Sequence, residues 1–202
     1  TITGNTSVLV TGIQYSNNAT VNLGGFRNAT DQNFITGGSA WTANTASGTT
    51  VRGNTSVTIN VSNAELSDTE GHNNFVKNIY GGSYGNTASE SNGAVQKVEG
   101  NSGVSITGKE GITFTGNIMG GSFWNWGNGT TLTTNGNTSV SIDGGSTFTG
   151  KIVGGSWRGS TWTAEDPTAL PVSIGGNITV TLGQGTYLGD IYGAGNCGTA
   201  GG

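Results

Sequence analysis

Residues 136–156 read GNTSVSIDGGSTFTGKIVGGS, and the phrases at the two ends of this stretch return along the whole chain. The first phrase, GNTSV or a variant of it, begins at residues 4, 53, 100, 136 and 176. The second phrase, IxGGS or a variant of it, begins at residues 35, 79, 118, 152 and 191. Five copies of a two-phrase unit, spaced about 40 residues apart, are typical of solenoids, propellers and other repeat arrays.

Each phrase predicts a β-strand. Val57, Ile59 and Val61 alternate with Thr58 and Asn60, so one face of that strand is apolar and the other is polar. In three units a middle strand with one aromatic residue precedes the second phrase, and these residues are Phe114, Phe148 and Tyr187. Gly-rich turns separate the strands, and Gly supplies the positive φ that a sharp corner needs. One unit therefore predicts about three short strands.

A single unit cannot bury its apolar row, but units stacked in parallel can. We therefore predict an all-β fold, a parallel β-solenoid (β-helix) of about five irregular rungs with a variable loop after each GGS. The predicted columns of stacked side chains are Val8, Val57, Val104, Val140 and Val180, and Ile35, Ile79, Ile118, Ile152 and Ile191. The recurring Asn of the first phrase is expected to form a ladder of stacked amides. A β-propeller, with antiparallel blades of similar length, is the alternative fold.

The repeat also sets the expected domain organisation. Residues 1–202 are expected to form a single array, with units at about 4–52, 53–99, 100–135, 136–175 and 176–202. Insertions at 13–33 and 62–74 lengthen the first two units. Because the sequence starts and stops in mid-pattern, we expect it to be a segment of a longer protein.

The composition excludes several functional classes. Gly, Thr, Asn and Ser make up 113 of the 202 residues, but Pro, at 2, is too rare for collagen. One Cys (Cys197) and one His (His72) leave little material for a disulfide scaffold or a zinc site. With 7 Lys and Arg against 11 Asp and Glu, the chain has no basic face for a nucleic acid. No apolar run is long enough to span a membrane. We expect no nucleic-acid partner, no membrane span, no metal and no cofactor.

All five Trp of the chain lie in the variable stretches that follow GGS. In a stack these stretches leave the same edge, so their aromatic residues are expected to form an exposed row. Exposed rings can lie against sugar faces, while short amides and hydroxyls reach sugar hydroxyls. The predicted glycan- or partner-binding residues are Tyr84, Trp124, Trp126, Trp157 and Trp162. The alternative is that the rings fold back and form a satellite hydrophobic cluster.

A hydrolase or lyase of polysaccharides needs acidic residues at a fixed separation. The candidates are Asp143, Glu165, Asp166 and Asp190. Asp143 lies in a DGG turn, where Asp commonly bonds to local backbone, and Asp190 occupies a corner position that other residue types fill in other units. We therefore predict a protein that is not an enzyme, with a β-helical polysaccharide lyase or hydrolase as an alternative.

Thr-x-Thr pairs give a second binding hypothesis. They occur at 113/115, 147/149 and 179/181, and aligned outward Thr on one flat face is the arrangement of ice-binding solenoids. Thr is also an ordinary residue on the solvent face of strands, so the pairs are explained equally by the strands themselves.

The two phrases and the Thr-Phe-Thr-Gly segments at 113–116 and 147–150 resemble repeats of large bacterial surface proteins. These proteins include autotransporter passenger domains and related β-helical adhesins. The resemblance extends from Gly4 to about Gly195, and the unit length of this chain is more irregular than the family's. It implies export, display on the outer surface, and adhesion or aggregation, and no catalytic residue is carried over.

From these features we expect an extracellular protein, secreted or at the cell surface, that acts as an adhesin or a structural stalk. The expected partner is a host or matrix glycan or protein. The alternative is a self-assembling subunit of an extracellular filament. Such a filament would grow by end-to-end stacking of rungs, because the ends of a solenoid are open sheet edges.

Overall fold

The computed structural model describes residues 1–11, 34–41, 48–66, 73–86, 95–125, 131–159, 172–195 and 198–200. These residues contain 23 β-strands and no helix, so the described part of the chain is all-β, as the sequence predicts. It accordingly contains no helix of the length and apolarity that crossing a membrane requires. The predicted insertion at 13–33 lies outside the described residues.

The strands follow one another in five passes, where a pass runs from one strand of the GNTSV phrase to the next. The first pass contains β1 Thr6–Thr11, β2 Phe34–Thr36, β3 Ala40–Trp41 and β4 Thr49–Val51. The second contains β5 Thr55–Asn60, β6 Asn74–Phe75, β7 Asn78–Tyr80, β8 Tyr84–Asn86 and β9 Val95–Val98. The third contains β10 Ser102–Thr107, β11 Thr113–Phe114, β12 Ile118–Met119, β13 Phe123–Asn125 and β14 Thr131–Thr134. The fourth contains β15 Thr138–Asp143, β16 Thr147–Phe148, β17 Ile152–Val153, β18 Trp157–Gly159 and β19 Val172–Ile174. The fifth contains β20 Ile178–Leu182, β21 Thr186–Tyr187, β22 Ile191–Tyr192 and β23 Gly198–Ala200.

The strands form five sheets, and each sheet takes one strand from successive passes. In the order in which the chain visits them, they are sheet 1 (β1-β5-β10-β15-β20), sheet 2 (β6-β11-β16-β21), sheet 3 (β2-β7-β12-β17-β22), sheet 4 (β3-β8-β13-β18) and sheet 5 (β4-β9-β14-β19-β23). Every strand pair between described residues is parallel. A propeller requires antiparallel blades, so the propeller alternative is wrong for this part of the chain.

Sheet 1 confirms the first predicted column. Val57 pairs with Val8 on one side and with Val104 on the other, and the register continues through Val140 to Val180. Along the inner strands buried side chains alternate with more exposed ones, because successive residues of a strand point to opposite faces. The Val and Ile side chains therefore face the interior, and the Ser and Thr side chains between them face outward.

Sheet 3 confirms the second predicted column. Ile79 pairs with Ile35 and Ile118, and the register continues through Ile152 to Ile191. Sheets 1 and 3 contribute these two apolar columns, apart from Ile191, to one hydrophobic cluster, which also includes the aromatic residues of sheet 2. We call this cluster the main core.

The aromatic residues of sheet 2 stack within the main core. The ring centroid of Phe114 lies 4.9 Å from those of Phe75 and Phe148, and the Phe148 ring lies 5.4 Å from that of Tyr187. Rings at this separation are in favourable contact. The short middle strand predicted from the sequence therefore contributes an aromatic column to the core.

The GG pair of the second phrase allows two backbones to approach closely. A Cβ on Gly120 would clash with the carbonyl oxygen of Gly154 and would lie 2.8 Å from the carbonyl oxygen of Ser139 in sheet 1. Positive φ, the predicted reason for corner Gly, is found among the described Gly in other turns, at Gly4, Gly111, Gly144 and Gly145. The prediction is therefore right for the turns at 107–111 and 143–145 and wrong for the turn at 183–185. The Gly of the GG pair fit for another reason, because sheets 1 and 3 pack too closely for a side chain.

The recurring Asn of the first phrase forms a ladder between passes. The Oδ1 of Asn5 accepts the backbone N–H of Asn54 at 2.8 Å, and contacts of the same length join Asn54 to Asn101, Asn101 to Asn137 and Asn137 to Asn177. The ladder lies where the sequence predicts it, but the donor in each step is the backbone N–H of the next Asn and not its side-chain amide. A corner N–H needs an acceptor outside the strand ladders, and the Asn side chain provides it.

The Ser of the second phrase forms a similar ladder. The N–H of Ser83 donates to the Oγ of Ser122 at 2.9 Å, and the N–H of Ser122 donates to the Oγ of Ser156 at 2.8 Å. All three side chains are buried. Both phrases therefore contribute corner hydrogen bonds that align one pass with the next.

Each inner pass contains five strands, whereas the sequence predicts about three. The two additional strands lie in sheets 4 and 5, within the stretches 84–99, 123–135 and 157–175 that were predicted as variable loops. That prediction is wrong at the ends of these stretches. Strands in parallel sheets pair through backbone atoms, so they form here without a recurring phrase.

Candidate functional site

The structure places three of the five predicted binding residues in sheet 4. Tyr84 begins β8, Trp124 is the middle residue of β13, and Trp157 begins β18. Trp126 and Trp162 lie outside the described residues. The three described residues differ in environment, so each is considered separately.

Tyr84 is 1% exposed and belongs to a hydrophobic cluster separate from the main core, which it forms with Tyr80, Met119 and Val153. Its ring stacks on that of Phe34 at 3.8 Å between centroids and lies 5.8 Å from the ring of Tyr80. Burial raises the pKa of Tyr80, and the charge that Tyr84 can carry raises it further. The expectation of an exposed Tyr84 is wrong, because the residue begins a strand that turns its ring onto sheet 3.

Trp124 is fully buried and packs with Leu132 and Val172 of sheet 5. Its indole lies directly over Gly85, where a Cβ would overlap the ring. We call the interior between sheets 4 and 5 the second core. The expectation of an exposed Trp124 is also wrong, and its ring forms part of the satellite cluster that was the alternative.

Another side chain of the second core is polar. Gln96 is fully buried and occupies the position in sheet 5 that Leu132 takes in the next pass. Its Oε1 accepts the hydroxyl of Thr49 at 2.6 Å, and its Nε2 donates to the carbonyl of Tyr84 at 3.3 Å. A buried amide with both ends bonded adds little cost, so the second core is polar in the first two passes and apolar in the next two.

Trp157 is the described member of the predicted row that is only partly buried. The Nζ of Lys151 lies 5.1 Å from the Trp157 ring centroid and 5.8 Å from that of Tyr192. The two rings meet edge to face, with centroids 5.2 Å apart. The hydroxyl of Tyr192 donates to Oδ2 of Asp190 at 3.2 Å, and Lys151 Nζ lies 3.9 Å from the same oxygen. We call Lys151, Trp157, Asp190 and Tyr192 the Trp157 cluster.

The Trp157 cluster is open to solvent on its charged side. The side chain of Lys151 is 44% exposed, that of Asp190 is 66% exposed, and Tyr192 is 37% exposed. A cation against aromatic faces contributes about 0.5–1 kcal/mol at an exposed site, and it also holds the rings in place. The cluster therefore offers two ring surfaces, a donor and an acceptor, which is a combination that can bind a sugar or a polar peptide.

Sequence reasoning identified Trp157 and missed its partners. Tyr192 belongs to the second phrase, which predicts core positions, and Lys151 and Asp190 each occupy the corner position that directly precedes this phrase. The signal for them is their register: Ile152 pairs with Ile191, which places Lys151 beside Asp190 and Tyr192 near Trp157.

The acidic residues do not form a paired site among the described residues. Asp143 accepts the backbone N–H of Gly144 at 2.9 Å, which is the local bonding expected of an Asp turn, and it also accepts that of Gln184 in the next pass at 2.8 Å. Burial, and then the charge of Asp143, raises the pKa of Tyr187. Asp190 lies in the Trp157 cluster, and Glu165 and Asp166 lie outside the described residues.

The Thr-x-Thr pairs do not share one face. Thr113 and Thr147 begin strands of sheet 2, whereas Thr179 and Thr181 lie in sheet 1. The single Thr face that an ice-binding surface needs is therefore contradicted.

The described residues contain no group of three or more His, Cys, Asp or Glu side chains that could hold a metal ion. His72 and Cys197 lie outside that part of the chain. Searches against family models, curated proteins and solved structures find no match to the chain.

Proposed function

We propose that the chain is a parallel β-solenoid with five rungs, one for each pass. Three features support this proposal: the chain visits the sheets in a fixed order, the strands stay in register from pass to pass, and the Asn and Ser ladders join corresponding corners. Neighbouring parallel strands lie about 4.8 Å apart, so five rungs give a rod segment about 20–25 Å long.

We further propose that this solenoid is an extracellular module, secreted or at the cell surface, that acts as an adhesin or a structural stalk and is not an enzyme. Its outward strand faces carry mostly Ser, Thr and Asn, which are groups that hydrogen-bond to water or sugar hydroxyls. The resemblance to β-helical bacterial surface proteins points in the same direction.

The observation that carries the binding role is the Trp157 cluster. A sugar ring can lie against the exposed parts of Trp157 and Tyr192, while Lys151 donates and Asp190 accepts hydrogen bonds at its rim. The proposed site is therefore smaller than the row expected from the sequence, and the proposed ligand is a host or matrix glycan.

A glycan array with the wild type and two variants tests this site. Trp157→Ala is expected to reduce the signal by about twofold to tenfold and Lys151→Ala by about tenfold, since a ring contact contributes about 0.5–1.5 kcal/mol and a hydrogen bond to a charged group about 1.5 kcal/mol or more. The matched control is Lys97→Ala, because Lys97 is also a partly exposed lysine, 3.2 Å from a carboxylate oxygen of Glu99. Equal binding by all four proteins would show that the Trp157 cluster is not the binding site. No binding by the wild type would show that the ligand is not a glycan of the array.

A further inference from the structure

The first residues of three strands of sheet 4 form a column of aromatic rings. Tyr84 of β8 pairs with Phe123 of β13, and Phe123 pairs with Trp157 of β18. Residues paired in this way point to the same face of a sheet. All three rings belong to, or pack against, the cluster that contains Tyr80 and Met119. Trp157 is therefore the last member of a column that crosses three passes.

The exposure of the rings changes along this column. Tyr84 is 1% exposed, and the ring of Phe34 stacks on it at 3.8 Å between centroids. Phe123 and Trp157 are only partly buried. Phe123 has a paired strand on each side, so its exposed part does not belong to an open sheet edge. The third and fourth passes therefore each present one ring to solvent, on neighbouring strands.

The ring of Phe123 is held in position by two other rings. Its centroid lies 5.1 Å from that of Tyr80 and 6.0 Å from that of Tyr84, with interplanar angles of 10° and 17°. A side chain that is already ordered loses little further freedom when a ligand lies against it. Phe123 is therefore a preorganised apolar surface one strand away from Trp157.

A polar side chain accompanies each of the two partly exposed rings. Asn117 holds in the third pass the corner position that Lys151 holds in the fourth, and its Oδ1 accepts the backbone N–H of Lys151 at 2.9 Å. Both residues are partly exposed. The Nδ2 of Asn117 is a hydrogen-bond donor, as the Nζ of Lys151 is. Each of the two passes therefore contributes one ring and one donor.

We infer that Phe123 and Trp157 bind two consecutive sugar units of a linear, neutral glycan. The glycan chain then runs along the stacking direction of the passes, across the strands and not parallel to them. Neighbouring parallel strands lie about 4.8 Å apart, and one sugar unit of an extended glycan chain spans a similar distance. This inference rests on the glycan site proposed at the Trp157 cluster and extends that site by one pass.

Two observations define the class of glycan. Lys151 Nζ lies 3.9 Å from Oδ2 of Asp190, so the two charges offset each other and favour a neutral sugar over an acidic one. The ring of Tyr84 is buried, so the row of available rings ends at Phe123. The site therefore contacts two sugar units through rings, and further units of a longer chain gain no ring contact.

A glycan array printed with one-, two- and four-unit linear oligomers of glucose, galactose, mannose and N-acetylglucosamine tests the inference. In the series that binds, the wild type is expected to bind the two-unit oligomer about twofold to tenfold more tightly than the single sugar, because a second ring contact is made. The four-unit oligomer is expected to add little. Phe123→Leu is expected to abolish this gain while the single sugar still binds, and Phe123→Tyr, which keeps the ring, is expected to retain it.

Phe114→Leu is the matched control for Phe123→Leu. It makes the same exchange at a ring of the main core that is 1% exposed, so it is expected to lower the thermal stability and to keep the gain. Equal affinity for one and two units, or a gain that Phe123→Leu leaves unchanged or that both Leu variants lose, would overturn the inference and leave the Trp157 site in place. No binding of any oligomer by the wild type would overturn glycan binding itself, and this inference with it.

Discussion

The main core and the second core are built from the same passes but in different ways. In the main core each column repeats the same or a closely similar side chain, as in the Ile79, Ile118 and Ile152 column. In the second core a single column of sheet 5 contains Gln96 and Leu132, with a network of hydrogen bonds around the first and an indole beside the second. The difference shows that strands pair in register both where a column repeats its side chain and where it does not. In the second core each pass fills its own space while its backbone pairs with the next.

The largest expected change in the free energy of unfolding tests whether the second core is as important to stability as the main core. Trp124→Ala should lower the free energy of unfolding by about 3–5 kcal/mol, the same range as Phe114→Ala in the main core, because both create a large cavity. Urea denaturation of the two variants checks this. A Trp124→Ala variant as stable as the wild type would show that the indole is not buried and would return Trp124 to the binding surface.

The next effect concerns the GG corner between sheets 1 and 3. Gly120→Ala should cost about 1–3 kcal/mol, because its methyl group meets backbone atoms that cannot move independently. Gly193→Ala is the matched control, since Gly193 occupies the same place in the fifth pass and a methyl group there would meet no atom of the described residues within 4 Å. It should change stability by about 0.5 kcal/mol or less. Equal costs for the two variants would contradict the close approach of the sheets.

A smaller change in stability is expected from the hydrogen bonds of Gln96, which distinguish the polar half of the second core from its apolar half. Gln96→Leu should destabilise the protein by about 1–2 kcal/mol, because the hydroxyl of Thr49 and the carbonyl of Tyr84 each lose a hydrogen bond. The double variant Thr49→Val/Gln96→Leu should recover part of that loss, since it removes the Thr49 hydroxyl that the single variant leaves short of a partner, while the carbonyl of Tyr84 still lacks the Gln96 donor. Chemical denaturation of the three proteins measures the coupling, and simple additivity would count against the network.

These contrasts also explain what the sequence could predict. The repeated phrases predict sheets 1 and 3, both stacked columns and the position of the Asn ladder. Similar side chains occupy the same positions within each phrase, so they must meet when the passes stack. Sheets 4 and 5 have no recurring phrase, so Tyr84 and Trp124 could be assigned to loops although their strands pair by backbone alone. The Trp157 cluster depends on the register between β17 and β22, which brings Lys151 and Asp190 together from different passes. A single pass does not reveal such a pairing.

The smallest change in stability at neutral pH is expected at Tyr80, which follows Ile79 of the main core and whose ring lies next to that of Tyr84. Burial holds the pKa of Tyr80 above its usual value. The unfolded chain releases this proton near pH 10 while the folded chain keeps it, so the stability it contributes is complete below pH of about 10 and is lost as the pH rises further. Tyr80→Phe should therefore lose less stability than the wild type between pH 9 and 11, as measured by urea denaturation. An identical alkaline loss in both proteins would place the Tyr80 hydroxyl in solvent.

The proposed stack is tested most directly by a series of distances along sheet 1. Ser7, Ser56, Gly103, Ser139 and Thr179 are paired in register on its outer face, so spin labels can be attached there, with Cys197→Ser, without entering the core. Electron paramagnetic resonance with one label at residue 7 and the second at each of the other four positions should give backbone separations that grow by about 4.8 Å per pass, to about 19 Å at Thr179. Separations that grow and then shrink, as in a closed ring of units, or that do not follow the order of the passes, would contradict the solenoid.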